Sequence, residues 1–179
     1  MVVTPAVDLD DLFEWLARCD GRDGGDPVDI LGHSLQCADR LAETAPEDVE
    51  LQLAGLTHDV GHILPGAHDG EDLHAEVGGR FVADVLGSGV ARLVELHVAA
   101  KRFLVATDRA HTSRLSAGST HSLAIQGGPM DADEVAAFET DPHGTRAAML
   151  RRADEAAKDP AAATSNLHRW RETAREWLG

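Results

Sequence analysis

The stretch Leu56-Thr57-His58-Asp59-Val60-Gly61-His62 constrains this chain more than any other. It sets a histidine beside an aspartate, with a second histidine three positions on, at the end of an apolar run with helical spacing. Buried ionisable groups are costly unless something partners them. A metal ion would partner both side chains at once. The rest of the chain must then supply further ligands from elements that return to this one.

The spacing of apolar residues predicts helices on both sides. The first covers about residues 8–18, with Leu9, Leu12, Phe13 and Leu16 on one face and Asp8 as N-cap. A polar loop, Arg22-Asp23-Gly24-Gly25-Asp26-Pro27, reads as a solvated turn or a lid. Pro27 suits the first turn of a second helix over about 28–44, which carries His33. Pro46, Glu47 and Asp48 open a third, with Gly61 as its stop and a point of close backbone approach. After a loop over 63–73, His74 opens a helix to Leu86. Gly87-Ser88-Gly89 makes a turn, and a helix from Val90 to about Leu104 carries His97 and Lys101 on one face. Residues 105–130 predict a short helix and a turn that exposes backbone, not strands. Asp131 caps a helix to Phe138, and two last helices cover about 145–158 and 165–178.

The expectation is therefore an all-α helical bundle forming one domain, its site-bearing core spanning about residues 25–160. Abundant alanine, leucine, glutamate and arginine agree with that class. The formal net charge of −15 argues against nucleic acid or an anionic membrane as partner. No apolar run reaches the roughly 18 residues of a membrane span, and the N-terminal residues lack the pattern of a signal peptide. The two cysteines, Cys19 and Cys37, read as small core side chains in a cytoplasmic protein.

Six candidate ligands fall on helix faces expected to point inward: His33, His58, Asp59, His74, His97 and Asp154. A carboxylate beside a histidine can bridge two cations, so six such groups suit a two-metal site. Nitrogen and oxygen donors without thiolate favour iron, manganese, cobalt or zinc. His62 is expected at the same cavity. His143, His168 and the loop residue His68 read as surface groups, and His111 and His121 as bland.

The order His33, His58-Asp59, Asp154 resembles the HD-domain superfamily of helical metalloproteins, and His74 and His97 resemble its two-metal branch. More specific are His74-Ala75-Glu76-Val77-Gly78, the segment from Leu96-His97 to Lys101-Arg102-Phe103-Leu104, and Ser122-Leu123-Ala124-Ile125-Gln126-Gly127-Gly128-Pro129-Met130. These are similar to the mixed-valent di-iron oxygenases that cleave carbon–phosphorus bonds. The resemblance implies two iron ions, one held by His33, His58, Asp59 and Asp154 and the other by His74 and His97, with Asp59 shared. It implies that His62, Lys101, Ser122 and Gln126 hold the phosphonate, with His62 and Lys101 closest to the chemistry. It further implies O2 as co-substrate and the release of phosphate and a carboxylic acid. A glycine-rich turn can add backbone N–H groups for an anion, and Lys158 would either repeat the role of Lys101 or be a surface charge.

The acidic loop departs from the glycine-forming members of that family. Asp23 and Asp26 stand where those proteins carry a tyrosine lid and a glutamate that meets the substrate amine, and this chain has no tyrosine. Asp26 is one methylene shorter, which leaves room for a trimethylammonium head and glycine betaine as product. A metal-dependent phosphohydrolase and a non-catalytic binding module are the competing readings.

Overall fold

The computed structural model describes residues 4–65 and 72–179. Its helices are α1 (Leu9–Ala17), α2 (Ile30–Thr44), α3 (Val49–Thr57), α4 (His74–Thr107), α5 (Arg109–Thr112), α6 (Ala117–Ile125), α7 (Ala132–Thr140), α8 (Gly144–Ala156) and α9 (Leu167–Leu178), with a single 3-10 turn at Val60–Ile63. Among the described residues the only β pairing is an isolated bridge, Asp23 to Asp29. The fold is all-α, as expected.

Helix starts follow local chemistry. Asp8, Asp29, Asp48, Ser116 and Asn166 each accept a backbone N–H of the first turn, and Asp131 forms a full capping box with Glu134. Each such cap contributes about 1 kcal/mol. The apolar stripes of α2, α3, α4 and α8 meet in one core, in which Leu41, Leu51, Leu53, Leu56, Leu93 and Leu150 are almost wholly buried. Burying a side chain of that size stabilises by roughly 1.5–3 kcal/mol. α9 lies against α1, with Trp170 buried between them and the core.

Helix α4 is not straight. Gly87 has φ 81° and ψ 169°, a conformation that strongly favours glycine, and the chain folds back there. The imidazoles of His74 and His97 touch, with Nε2 atoms 2.9 Å apart. Along a straight helix, 23 positions would separate them by about 34 Å. The turn expected at Gly87-Ser88-Gly89 is thus a one-residue corner.

Four boundaries differ from the sequence reading. α2 begins at Ile30, because Asp29 rather than Pro27 supplies its cap. α3 ends at Thr57, not Gly61, and the chain tightens into the 3-10 turn after Asp59. α8 stops at Ala156, which leaves Lys158 beyond its end. Residues 105–130 hold two short helices rather than one, α5 and α6. His143 is half-buried just before α8 rather than on the surface, and His68 lies outside the described residues.

Candidate metal centre

Each of the four histidines has its Nδ1 fixed from behind. His33 Nδ1 lies 2.8 Å from the Ala157 carbonyl, His58 Nδ1 2.8 Å from that of Gly55, and His97 Nδ1 2.7 Å from that of Val94. A carbonyl oxygen can only accept, so these Nδ1 atoms carry hydrogens. His74 Nδ1 meets the Asp72 carboxylate at 2.5 Å. Every Nε2 then points inward. His33 and His58 meet Nε2 to Nε2 at 3.2 Å, His74 and His97 at 2.9 Å. Lone pairs brought together in this way call for a positive charge between them, and a tautomer locked by an acceptor behind the ring is the usual device for a metal ligand.

Asp59 lies between the two pairs. Its Oδ2 is 3.5 Å from His33 Nε2 and 3.4 Å from His58 Nε2, while its Oδ1 is 3.8 Å from His74 Nε2 and 3.7 Å from His97 Nε2. One carboxylate oxygen thus faces each imidazole pair, which is the geometry a shared ligand of two cations needs. Asp154 Oδ1 closes the first group at 3.2 Å from His33. His33, His58 and Asp59 form one potential metal-holding cluster, and Asp59, His74 and His97 a second. The donor set therefore fits two ions of the harder transition metals.

The electrostatics agree. Burial works against a charge on Asp59, but the surrounding imidazoles of His58, His62 and His33 together outweigh it and hold the carboxyl well below its usual range. Burial likewise opposes a proton on His58, yet Asp59 holds that group up at about 9. Burial and the neighbouring His74 push His97 well below the ordinary range. The pocket demands positive charge, and without metal a proton is the cation at hand. Burial pushes the Cys19 thiol up to about 12 and Cys37 well above its usual range, so both stay neutral core groups as expected.

Further polar groups stand around the candidate ligands. Lys101 lines the cavity, is buried, and donates to Ser122 Oγ at 2.7 Å. Burial first, and the Arg151 charge second, bring its pKa down to about 8. Gln126 donates through Nε2 to Asp72 at 2.6 Å, and its Oε1 is buried without a hydrogen-bond partner. His62 stacks on His74, ring centroids 3.9 Å apart. Asp26 also lines the cavity. Asp23 does not: it walls an adjoining recess with Arg22, Ile30 and Ile63, and its Oδ1 accepts the Gly25 N–H at 2.7 Å. The Gly127-Gly128 turn is a correction. Neither glycine lines the cavity, and the Gly128 N–H is spent on the Leu123 carbonyl, closing the end of α6.

Three groups escaped the sequence reading. Asp72 orients His74 from behind and is itself held well below its usual range, because His74 and Gln126 outweigh its burial. Arg151 grips both Asp154 and Glu155. The signal for Arg151 and Glu155 lay in their spacing, one helical turn before and one residue after Asp154. Asp72 precedes His74 by two positions, where a second carboxylate in an acidic loop carries no distinguishing pattern. His111 is buried away from the cavity, and His121 and His168 are exposed.

The HD domain model matches residues 30–157. The chain is 41% identical over 140 residues to the [1-hydroxy-2-(trimethylamino)ethyl]phosphonate dioxygenase (glycine-betaine-forming) of Leisingera caerulea, covering 75% of this chain and 71% of that one. It is 35% identical over 162 residues to the hydroxymethylphosphonate dioxygenase of Gimesia maris, covering 87% and 80%. An uncharacterized protein of Acanthamoeba polyphaga mimivirus is 27% identical over 162 residues, covering 86% and 74%.

Proposed function

Because this chain belongs to the HD domain family, and within it to the phosphonate dioxygenases, we propose that it uses O2 to cleave the C–P bond of a 1-hydroxyphosphonate. The observation that carries the reading is the two-sided placement of Asp59 between two inward-facing imidazole pairs, next to a buried lysine that can meet a phosphonate. The favoured substrate is 1-hydroxy-2-(trimethylamino)ethylphosphonate. Its products would be phosphate and glycine betaine. Substrate dianion plus one O2 gives phosphate, the zwitterion and one proton, so no outside reductant is needed.

The cofactor in this reading is two iron ions. His33, His58, Asp59 and Asp154 would hold one, and His74 and His97 the other with Asp59 between. The irons supply the activation of O2 and the redox chemistry that a protein side chain cannot. The chain's own residues do the rest. Lys101, positioned by Ser122, places a point charge against the phosphonate oxygens. His62, lying flat on His74, closes the cavity and offers a ring nitrogen to the same anion. Gln126 gives one Nε2 hydrogen to Asp72 and keeps a second for a phosphonate oxygen, while its Oε1, without a partner, can accept from the substrate hydroxyl. Asp26 balances the cationic head, while Asp23 guards the recess at the entrance.

No helix of the described residues is long and apolar enough to cross a membrane. The free, buried Cys19 and Cys37 suit a reducing cytoplasm.

An oxygen-electrode trace with iron(II)-loaded protein tests the function. O2 uptake is expected to match phosphate release from the hydroxyphosphonate. Phosphate release without O2 uptake would instead mark a hydrolase.

A further inference from the structure

Lys158 takes no part in the reaction as set out above, yet its side chain is only about 10% exposed and it lines the metal cavity. Its ammonium lies 3.1 Å from Asp26 Oδ2. Around it stand Ser119 Oγ at 2.8 Å, Ser116 Oγ at 3.0 Å and Glu155 Oε2 at 3.4 Å. It is a fixed cation, neither a surface charge nor a second Lys101.

That contact changes what a substrate meets at Asp26. Oδ2 faces Lys158, while Oδ1 is buried with no hydrogen-bond partner. The carboxylate has a second support that does not depend on Lys158. The loop is pressed onto α6 at Gly118, where a Cβ would stand 2.8 Å from the Gly25 carbonyl oxygen and 3.5 Å from Asp26 Oδ1. Removing the ammonium therefore changes the charge at this end of the cavity more than it changes the position of the carboxylate.

We propose that Lys158 is a specificity-determining residue, an internal counter-cation that weakens the pull of Asp26 on a cationic substrate head. The inference rests on the phosphonate reading above. A cationic head brought into the cavity near Asp26 shares that one carboxylate with a second cation, and the two repel in a cavity that screens poorly. A substrate without a head group feels none of this. Lys158 thereby narrows the preference for trimethylammonium-bearing over headless hydroxyphosphonates.

The test is calorimetric binding, without O2, of two probes to the iron-loaded full chain: [1-hydroxy-2-(trimethylamino)ethyl]phosphonate and hydroxymethylphosphonate. The readout is the ratio of their affinities, with phosphate release under O2 measured separately. Lys158→Met is expected to shift the ratio about tenfold toward the cationic probe, Asp26→Asn about tenfold the other way, and Lys158→Arg less than about twofold. Lys158→Gln serves if the methionine variant does not fold. Loss of the fold around α6 would weaken both probes together and leave the ratio where it was. A ratio unchanged or moved toward the headless probe, in a Lys158→Met or Lys158→Gln variant that still binds hydroxymethylphosphonate as the wild type does, overturns the proposal, and so does failure of the wild type to bind either probe. Binding with the expected ratios but without O2-dependent phosphate release sinks the oxygenase reading and leaves the role of Lys158 standing.

Discussion

A Cβ on Gly61 would stand 1.9 Å from the backbone carbonyl oxygen of His74. The turn after the His58-Asp59 pair and the first residue of α4 thus meet backbone to backbone, and this contact sets how far Asp59 lies from the His74-His97 pair. Gly61→Ala must push the two segments apart. Overpacking of this kind costs about 1–3 kcal/mol, and thermal melting should show it as a fall of about 2–4 °C per kcal/mol. Metal content should fall with it. Gly78→Ala is the control, because its Cβ would press only on Val94 Cγ1 at 3.3 Å, a side chain that can give, and would meet the Gly61 backbone at an ordinary 3.4 Å. If metal binding survives Gly61→Ala as well as it survives Gly78→Ala, the contact does not set the site.

Asp72 holds the His74 ring from behind through Nδ1, and with His62 and His74 it also forms a group that could hold an ion. Asp72→Ala frees the His74 ring and is expected to lower metal affinity about 10–100-fold, the usual cost of losing a carboxylate behind a ligating histidine. Asp72→Asn keeps an acceptor for Nδ1 and should lose less. Titration against a competing chelator reads both. Equal affinities in wild type and Asp72→Ala would leave His74 oriented by packing alone.

In the proposed function Lys101 meets the phosphonate, and its charge depends on pH. Its pKa is lowered to about 8, so the ammonium is present below that pH and is lost as pH rises through it. With a phosphonate as ligand, kcat/KM should fall above pH 8 as the free enzyme's lysine deprotonates. Lys101→Arg, charged throughout, should remove that alkaline limb even if its level is lower. A limb at the same pH in the arginine variant would assign it to another group.

Metal removal should destabilise the fold, since it leaves converging Nε2 atoms and two carboxylates without their cation. A ligand that binds only the native state raises stability by RT ln(1 + L/Kd), where L is its free concentration. Chelation is expected to lower Tm, and re-addition of iron(II) to restore it. Asp59→Ala should melt like the stripped protein with or without metal and show no turnover. A variant that keeps two metals and activity would remove Asp59 from between them.

The candidate ligands were legible because, though each is weak alone, together they fall on helix faces that point inward. His58 and Asp59 are neighbours in an apolar run, and His97 and Lys101 share a helix face. The α-helical class followed from periodicity in the same way. The supporting contacts were not legible, because they join residues far apart in sequence. His33 is fixed by the Ala157 carbonyl and Lys158 by Asp26, and neither pairing has a spacing to read. The Gly-Gly turn misled for a related reason. Glycines at φ 94° and 73° serve equally to end a helix or to cradle an anion, and only the Leu123 carbonyl decides between them. Boundaries at α2 and α3 moved because a side-chain cap at Asp29 and a tightened turn after Asp59 overrode proline and glycine.

The corner at Gly87 bears on the order in which the site assembles. His74 and His97 are brought together by closing 23 residues, whereas His33 must find Ala157 across 124. By loop-closure entropy the shorter link is favoured by about 1.5 kcal/mol. During folding, each imidazole pair can therefore form locally, since His33 and His58 are only 25 positions apart, whereas the carbonyl that orients His33 arrives only when α8 closes onto α2. Pulse-labelled hydrogen exchange should find the amides of α4 protected before those of α8. Simultaneous protection would mean that the two halves are born together.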